Sequence, residues 1–159
     1  MTPYVFYYLD TSALVKRYVV EVGSDWVKGL YRAPNRFLVT SIISLAEIGA
    51  SLARKRRMGE MGETIYDRLL QTIREEFERA HVVMGIDRAL MNLAVDLTMR
   101  HPLRGYDAVH LASALLIPAQ ASPLHPILVT FVSADQTLLA ATAVEGLAVE
   151  DPMAHPRVD

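Results

Sequence analysis

The sequence predicts an α/β fold: one domain in which a central, mostly parallel sheet is covered by helices on both faces, an α/β/α sandwich. Two observations carry this prediction. Short apolar runs at 5–9, 37–40, 81–84, 127–132 and 147–149 alternate with stretches of helical periodicity, the order expected of βαβ units. The first and fourth runs also lack polar alternation, as strands buried on both faces do. At 159 residues the chain has room for one real core and not for two. Residues 1–150 are read as that domain and 151–159 as a loose C-terminal tail.

The elements follow in order. The first strand ends on Asp10, Thr11 and Ser12, and 13–20 suits a short helix. Gly23, Ser24 and Asp25 restart a helix through Trp26, Val27 and Leu30, which Pro34 and Asn35 end. After the second strand, Ser41 or Ser44 is positioned to cap a long helix carrying Glu47, Ile48 and Leu52. Gly59 and Gly62 separate it from an amphipathic helix over 60–80, where Ile65, Leu69, Ile73 and Phe77 recur every fourth residue and Glu75 and Arg79 form an i, i+4 pair. A weak strand follows, and Asp87 reads as the cap of the helix bearing Leu90, Ala94 and Leu97. Pro102 and Gly105 break the chain before the helix from Asp107 to Leu116. Residues 118–126 read as loop. Asp135 follows the fourth strand and precedes a helix over 136–144 that Gly146 stops.

Composition narrows the function. There is no cysteine, so disulfides, thiolate zinc sites and cysteine nucleophiles are excluded, and a reducing cytoplasm is the expected location. The N-terminal apolar run is too short for a signal peptide. From Ala108 to Ala134 the chain carries no Asp, Glu, Lys or Arg, yet Pro118, Pro123 and Pro126 would leave backbone unsatisfied in lipid, so the stretch reads as buried helix, loop and strand. The formal net charge of -2 discourages a nucleic-acid partner only if acids are spread evenly. Four gathered in one pocket would leave the remaining surface mildly basic.

Several acids stand where such a pocket would form. Asp10 and Asp135 each follow an apolar strand and open a helix, at the carboxyl edge where α/β sheets place ligands. Asp107 opens a helix with Leu111 and Ala114 on its face. Each could equally be a helix cap. Glu47 lies in the most apolar part of its helix, where a carboxylate needs compensation, and an ion pair toward Arg54 or a solvent-facing position is the plainer account. His110 reads as a hydrogen-bonded core residue rather than a base. A carboxylate cluster without His or Cys ligands suits Mg²⁺ or Mn²⁺ and argues against zinc. Such an ion generates a hydroxide nucleophile and neutralises a phosphodiester. Haloacid-type phosphatase chemistry would need an acid where Ser12 stands, and no Walker loop, dinucleotide fingerprint or G-x-S-x-G elbow is present.

Taken together, the motif from Leu9 to Leu14, Glu47 early in a long helix, the motif from Leu103 to Ala112, and that from Ser133 to Leu139 resemble those of PIN-domain nucleases. Within that family they are most similar to the VapC-type toxins of toxin-antitoxin pairs. The resemblance runs from Tyr8 to about Gly146. It implies a PIN-like sheet between helices and hydrolysis of RNA by metal-activated water, with Asp10, Glu47, Asp107 and Asp135 as the catalytic acids. Asp10 and Asp107 would ligate Mg²⁺ or Mn²⁺ directly, Glu47 and Asp135 would complete the pocket, and Ser12 and Ser133 would orient them. His110 matches a position that is often histidine without a catalytic role. The resemblance further implies a homodimer and a small antitoxin protein as partner. A housekeeping RNA-processing nuclease and a catalytically silent partner-binding module are the alternatives. The 118–126 connection is longer than the family's usual one. Arg54, Lys55, Arg56, Arg57, Arg100 and Arg104 are the candidates for RNA phosphate contacts.

Overall fold

A computed structural model describes residues 4–118 and 127–156. Five strands, β1 (Tyr4–Leu9), β2 (Arg36–Ser41), β3 (Val82–Met84), β4 (Ile127–Val132) and β5 (Ala148–Glu150), form one sheet in the order β3-β2-β1-β4-β5. All four pairings are parallel. The chain builds outward from β1 to β3 on one side and then returns to add β4 and β5 on the other. The order therefore reverses between β1 and β4, and the carboxyl ends of those two strands are where parallel sheets of this kind form a ligand crevice.

Alternation along the strands divides the core. Leu9, Leu38 and Val132 point to one face, where they meet Leu14 of α1 (Thr11–Leu14), Leu30 of α2 (Ser24–Leu30), Ile48 and Leu52 of α3 (Ile43–Arg57), and Ile73 and Phe77 of α4 (Glu63–Ala80). Tyr8, Val39 and Phe131 point to the other. There they meet α5 (Arg88–Arg100), α6 (Gly105–Leu115) and α7 (Gln136–Val144). Tyr8 stacks on Phe131 with ring centroids 5.2 Å apart, tying β1 to β4 from below the crevice. Such a pair adds about 0.5–1.5 kcal/mol to the effect of its buried area.

Several local expectations hold, and several give way to tertiary contacts. Asp87 caps α5 by accepting from the Leu90 N–H at 2.8 Å. The first helix is only four residues long and passes into a 3₁₀ turn at Val15–Arg17. Ser41 reaches the head of α3, accepting from the Ile43 N–H at 3.4 Å, but Ser44 does not cap it. Ile42 is its N-cap residue, without a side-chain bond, because Ser44 is buried against Thr40 at 2.8 Å. Glu75 accepts from Gln71 at 2.8 Å rather than pairing with Arg79. No helix among the described residues is long and apolar enough to cross a membrane. Most of the proline-containing connection, 119–126, lies outside the described residues, as do 157–159.

The start of the expected loose tail is seated on the domain. Pro152 is buried in a 3₁₀ turn (Pro152–Ala154), and His155 stacks on Trp26 with ring centroids 4.5 Å apart and planes 4° from parallel. Gly23 makes the seat possible. It sits at φ +85°, and a Cβ there would lie 2.4 Å from the Pro152 carbonyl oxygen. Gly23→Ala is therefore expected to lower stability by about 1–3 kcal/mol in urea unfolding, from positive-φ strain and the displaced 3₁₀ turn together.

Candidate active site

Asp10 is the first residue after β1, and Ser133 the first after β4. Parallel pairing sets Leu9 opposite Val132, and the Asp10 N–H continues the ladder to the Val132 carbonyl at 3.1 Å. Both side chains thus arrive at the reversal of strand order. The Asp10 carboxylate is 5% exposed and takes three hydrogen bonds. Oδ1 accepts from the Ala13 N–H at 2.9 Å and from Ser12 Oγ at 2.7 Å, while Oδ2 accepts from Ser133 Oγ at 2.6 Å. The serines are locked in turn. Ser12 Oγ accepts from the Ala134 N–H at 2.9 Å, and Ser133 Oγ from the Asp135 N–H at 3.0 Å. Asp10 is both the cap of α1 and the centre of this lattice. Burial raises its pKa, against the opposing pull of His110, the two serines and the Ala13 amide.

Glu47, in the second turn of α3, reaches the same place from the side. Its Oε1 accepts from Thr11 Oγ1 at 2.7 Å and lies 2.8 Å from His110 Nε2. The expected partner Arg54 is exposed instead, and Glu47 is half-buried. Burial would raise its pKa, but the bonds from His110 and Thr11 outweigh that and hold it below the usual carboxylate range. Thr11, a hydroxyl beside Asp10 that could have held a water or a phosphate oxygen, is bound to Glu47 instead. Its place between Asp10 and Ser12 is the signal: on the first turn, consecutive hydroxyls turn to different neighbours, Ser12 to Asp10 and Thr11 to Glu47.

Asp107 lies in the first turn of α6, with Arg104 as N-cap residue, so it is not itself the cap. Asp135 caps α7, accepting from the Leu138 N–H at 3.0 Å. Burial raises the pKa of Asp107 and the charge of Asp135 raises it further, while the Arg104 backbone, His110 and the Arg104 charge oppose. Asp10, Ser12, Ser133 and Asp135 are joined by hydrogen bonds, as are Glu47, Thr11 and His110. Asp107 is joined to Asp135 through charge.

Three of the six candidate phosphate-binding cations are engaged elsewhere: Lys55 with Glu60, Arg56 with Glu63 and Arg100 with Glu145. Arg104 is exposed at the head of α6, beside Asp107.

Among the described residues no three acids or histidines gather into a ready-made metal cage. The donor set nevertheless fits a hard cation that takes one or two carboxylates and retains water, as Mg²⁺ does. It does not fit zinc, because both His110 nitrogens are committed, Nδ1 to Tyr8 at 2.8 Å and Nε2 to Glu47.

The raised pKa of Asp107 has a stability consequence. A carboxyl whose folded pKa lies above its unfolded value contributes stability fully present below the unfolded pKa and lost as pH rises through the folded one. At neutral pH the ionised Asp107 is thus a net cost in the metal-free protein. Asp107→Asn is expected to melt above the wild type at neutral pH in chelator, and the difference to shrink as pH falls into the carboxylate range. A thermal melt series against pH measures this.

Comparison with known proteins agrees with this architecture. A sequence model of the PIN domain matches residues 7–131. Ribonuclease VapC45 of Mycobacterium tuberculosis (strain CDC 1551 / Oshkosh) is 34% identical over 112 residues, 69% of this chain and 75% of that protein. Among solved structures, PAE2754 from Pyrobaculum aerophilum superposes with a TM-score of 0.66 at 19% identity, covering 94% of this chain and 85% of its own. A toxin-antitoxin complex from Klebsiella pneumoniae superposes with a TM-score of 0.62 at 16% identity, covering 91% of this chain and 96% of its own. These two likenesses are of fold. The family model, which matches residues 7–131, and the 34% identical relative lead to one conclusion: the chain belongs to the PIN-domain family.

Proposed function

We propose that this chain is a metal-dependent endoribonuclease, the toxin component of a type II toxin-antitoxin pair. The observation that carries the proposal is the setting of Asp10. A carboxylate held by three donors at the junction of β1 and β4, with Glu47, Asp107 and Asp135 around it, is costly to keep unless it serves chemistry. The relationship to a protein named as a ribonuclease supports RNA as substrate. The likeness to a toxin-antitoxin complex supports a small antitoxin protein as partner.

In this reading Asp10 and Asp107 hold Mg²⁺ or Mn²⁺. Bound there, the ion would activate water and neutralise charge on the phosphodiester. Ser12 and Ser133 keep the Asp10 oxygens fixed in direction, so that little reorganisation is needed when a cation arrives. Glu47, held ionised by Thr11 and His110, and Asp135, oriented by its cap bond, complete the acidic surround. Arg104 offers a cation to the RNA backbone at the mouth of the site. In this reading the protein works in the cytoplasm, where its RNA substrate would be met.

Purified protein is expected to cleave RNA with Mg²⁺ or Mn²⁺, and Asp10→Asn to abolish the cleavage. Undiminished cutting in excess chelator would overturn the metal mechanism.

A second copy of the chain is the proposed occupant of the outer face of α5. Met91, Val95 and Met99, one turn apart, are 43%, 56% and 81% exposed and form an apolar stripe. Val95→Glu is expected to shift a dimer to monomer in size-exclusion chromatography with light scattering. A wild type that is already monomeric at all concentrations removes this part of the proposal.

A further inference from the structure

His110 was expected to be a core histidine satisfied by a hydrogen bond. It is 2% exposed, but the bonds it makes do not end in the core. On one side Nδ1 lies 2.8 Å from the hydroxyl of Tyr8, a residue with no exposed surface. On the other, Nε2 lies 2.8 Å from Oε1 of Glu47, which is half-buried at the crevice. A line of hydrogen bonds thus runs from the carboxyl end of β1 through α6 to Glu47 on α3. Resting on the ribonuclease reading above, we infer that His110 and Tyr8 are positioning residues for Glu47, fixing which of its two carboxylate oxygens remains available to the reaction.

The direction of each bond follows from the groups themselves. A carboxylate only accepts, so the hydrogen between Glu47 and His110 belongs to Nε2 whether the imidazole is neutral or charged. In the neutral ring Nδ1 then carries the lone pair, and the Tyr8 hydroxyl donates to it. Burial raises the Tyr8 pKa, so that hydroxyl retains its proton. Thr11 Oγ1 donates to the same Oε1 at 2.7 Å. Oε1 is thereby saturated by the fold, while Oε2 has no hydrogen-bond partner among the described residues and is the oxygen left free. Without the Tyr8 bond the ring could adopt the other tautomer, turning a lone pair on Glu47 and swinging the carboxylate away.

The test has two arms. Side-chain ¹⁵N spectroscopy of the metal-free protein is expected to show His110 Nε2 protonated, with Tyr8→Phe increasing the population protonated at Nδ1 alone. An unprotonated Nε2 in the wild type overturns the inference, as does a Tyr8→Phe spectrum unchanged from it. In the second arm, His110→Leu is expected to lower kcat for RNA cleavage about 10- to 100-fold at little-changed KM. His110→Gln, whose amide nitrogen falls where Nε2 stood, is expected to recover most of the loss, and the shorter His110→Asn to recover little. A folded His110→Leu that cleaves at the wild-type rate, or a folded His110→Gln no better than it, overturns the positioning role. Should His110→Leu fail to fold, the volume-conserving Tyr8→Phe carries the kinetic arm, with a fall in kcat supporting the inference and an unchanged kcat overturning it. A wild type that cuts no RNA with any divalent ion removes the ribonuclease reading, whereas the nitrogen spectra decide the hydrogen-bond line by themselves.

Discussion

The buried carboxylate of Asp10 is the constraint around which the rest of this protein is arranged. An anion withdrawn from water needs donors, and here they come from two strands and a helix end: Ser12 and the Ala13 amide after β1, Ser133 after β4. Each donor is itself tied to the backbone of the β4–α7 turn or the first turn of α1. Meeting the demands of one charged group therefore closes the β1–β4 seam at its upper end, while the Tyr8–Phe131 stack closes it in the core. The arrangement compensates the buried charge only in part, since burial still raises its pKa.

The other acids divide by how they are held. Glu47 is a finished hydrogen-bonding group on one oxygen and sits below the ordinary carboxylate range. Asp107, pushed up by burial and then by the charge of Asp135, sits above it. One acid held in its charged form beside two pushed away from it is an arrangement that the proposed cation would relieve. The strain is distributed over helix beginnings, where backbone amides and the helix dipole soften it. Stability given up at such a site is recovered in the two cores on either side of the sheet, where the inward side chains of the strands and helices are almost fully buried.

The seat of the segment after β5 shows the same economy with different chemistry. The glycine at position 23 is needed because the chain turns through positive φ there and because the segment after β5 comes back to lie on it. Trp26 offers His155 an almost parallel ring. The residues following the last strand are thereby a fastening between α2 and β5, in contrast to the loose end that their position and proline content suggest.

How far these features could be read from the sequence depends on how local their causes are. The apolar runs, the helical period of residues 60–80, the capping role of Asp87 and the acids at strand ends are set by residues within a few positions of each other, and the sequence determined them. It also indicated that Asp10 and Asp135 are alike, since both follow an apolar strand and both prove to be helix caps. What it left open were choices between partners. Glu47 had Arg54 one helical stripe away, yet α6 brings His110 and α1 brings Thr11 closer. Ser44 could have capped α3, but Thr40 on the neighbouring strand claims it. Those outcomes depend on which strand lies beside β1 and how helices from distant parts of the chain settle over it, a matter of collective packing with no local signature. The residue types for an acidic site were thus decided by the sequence, and which atoms of those residues remain free was decided only by the tertiary structure.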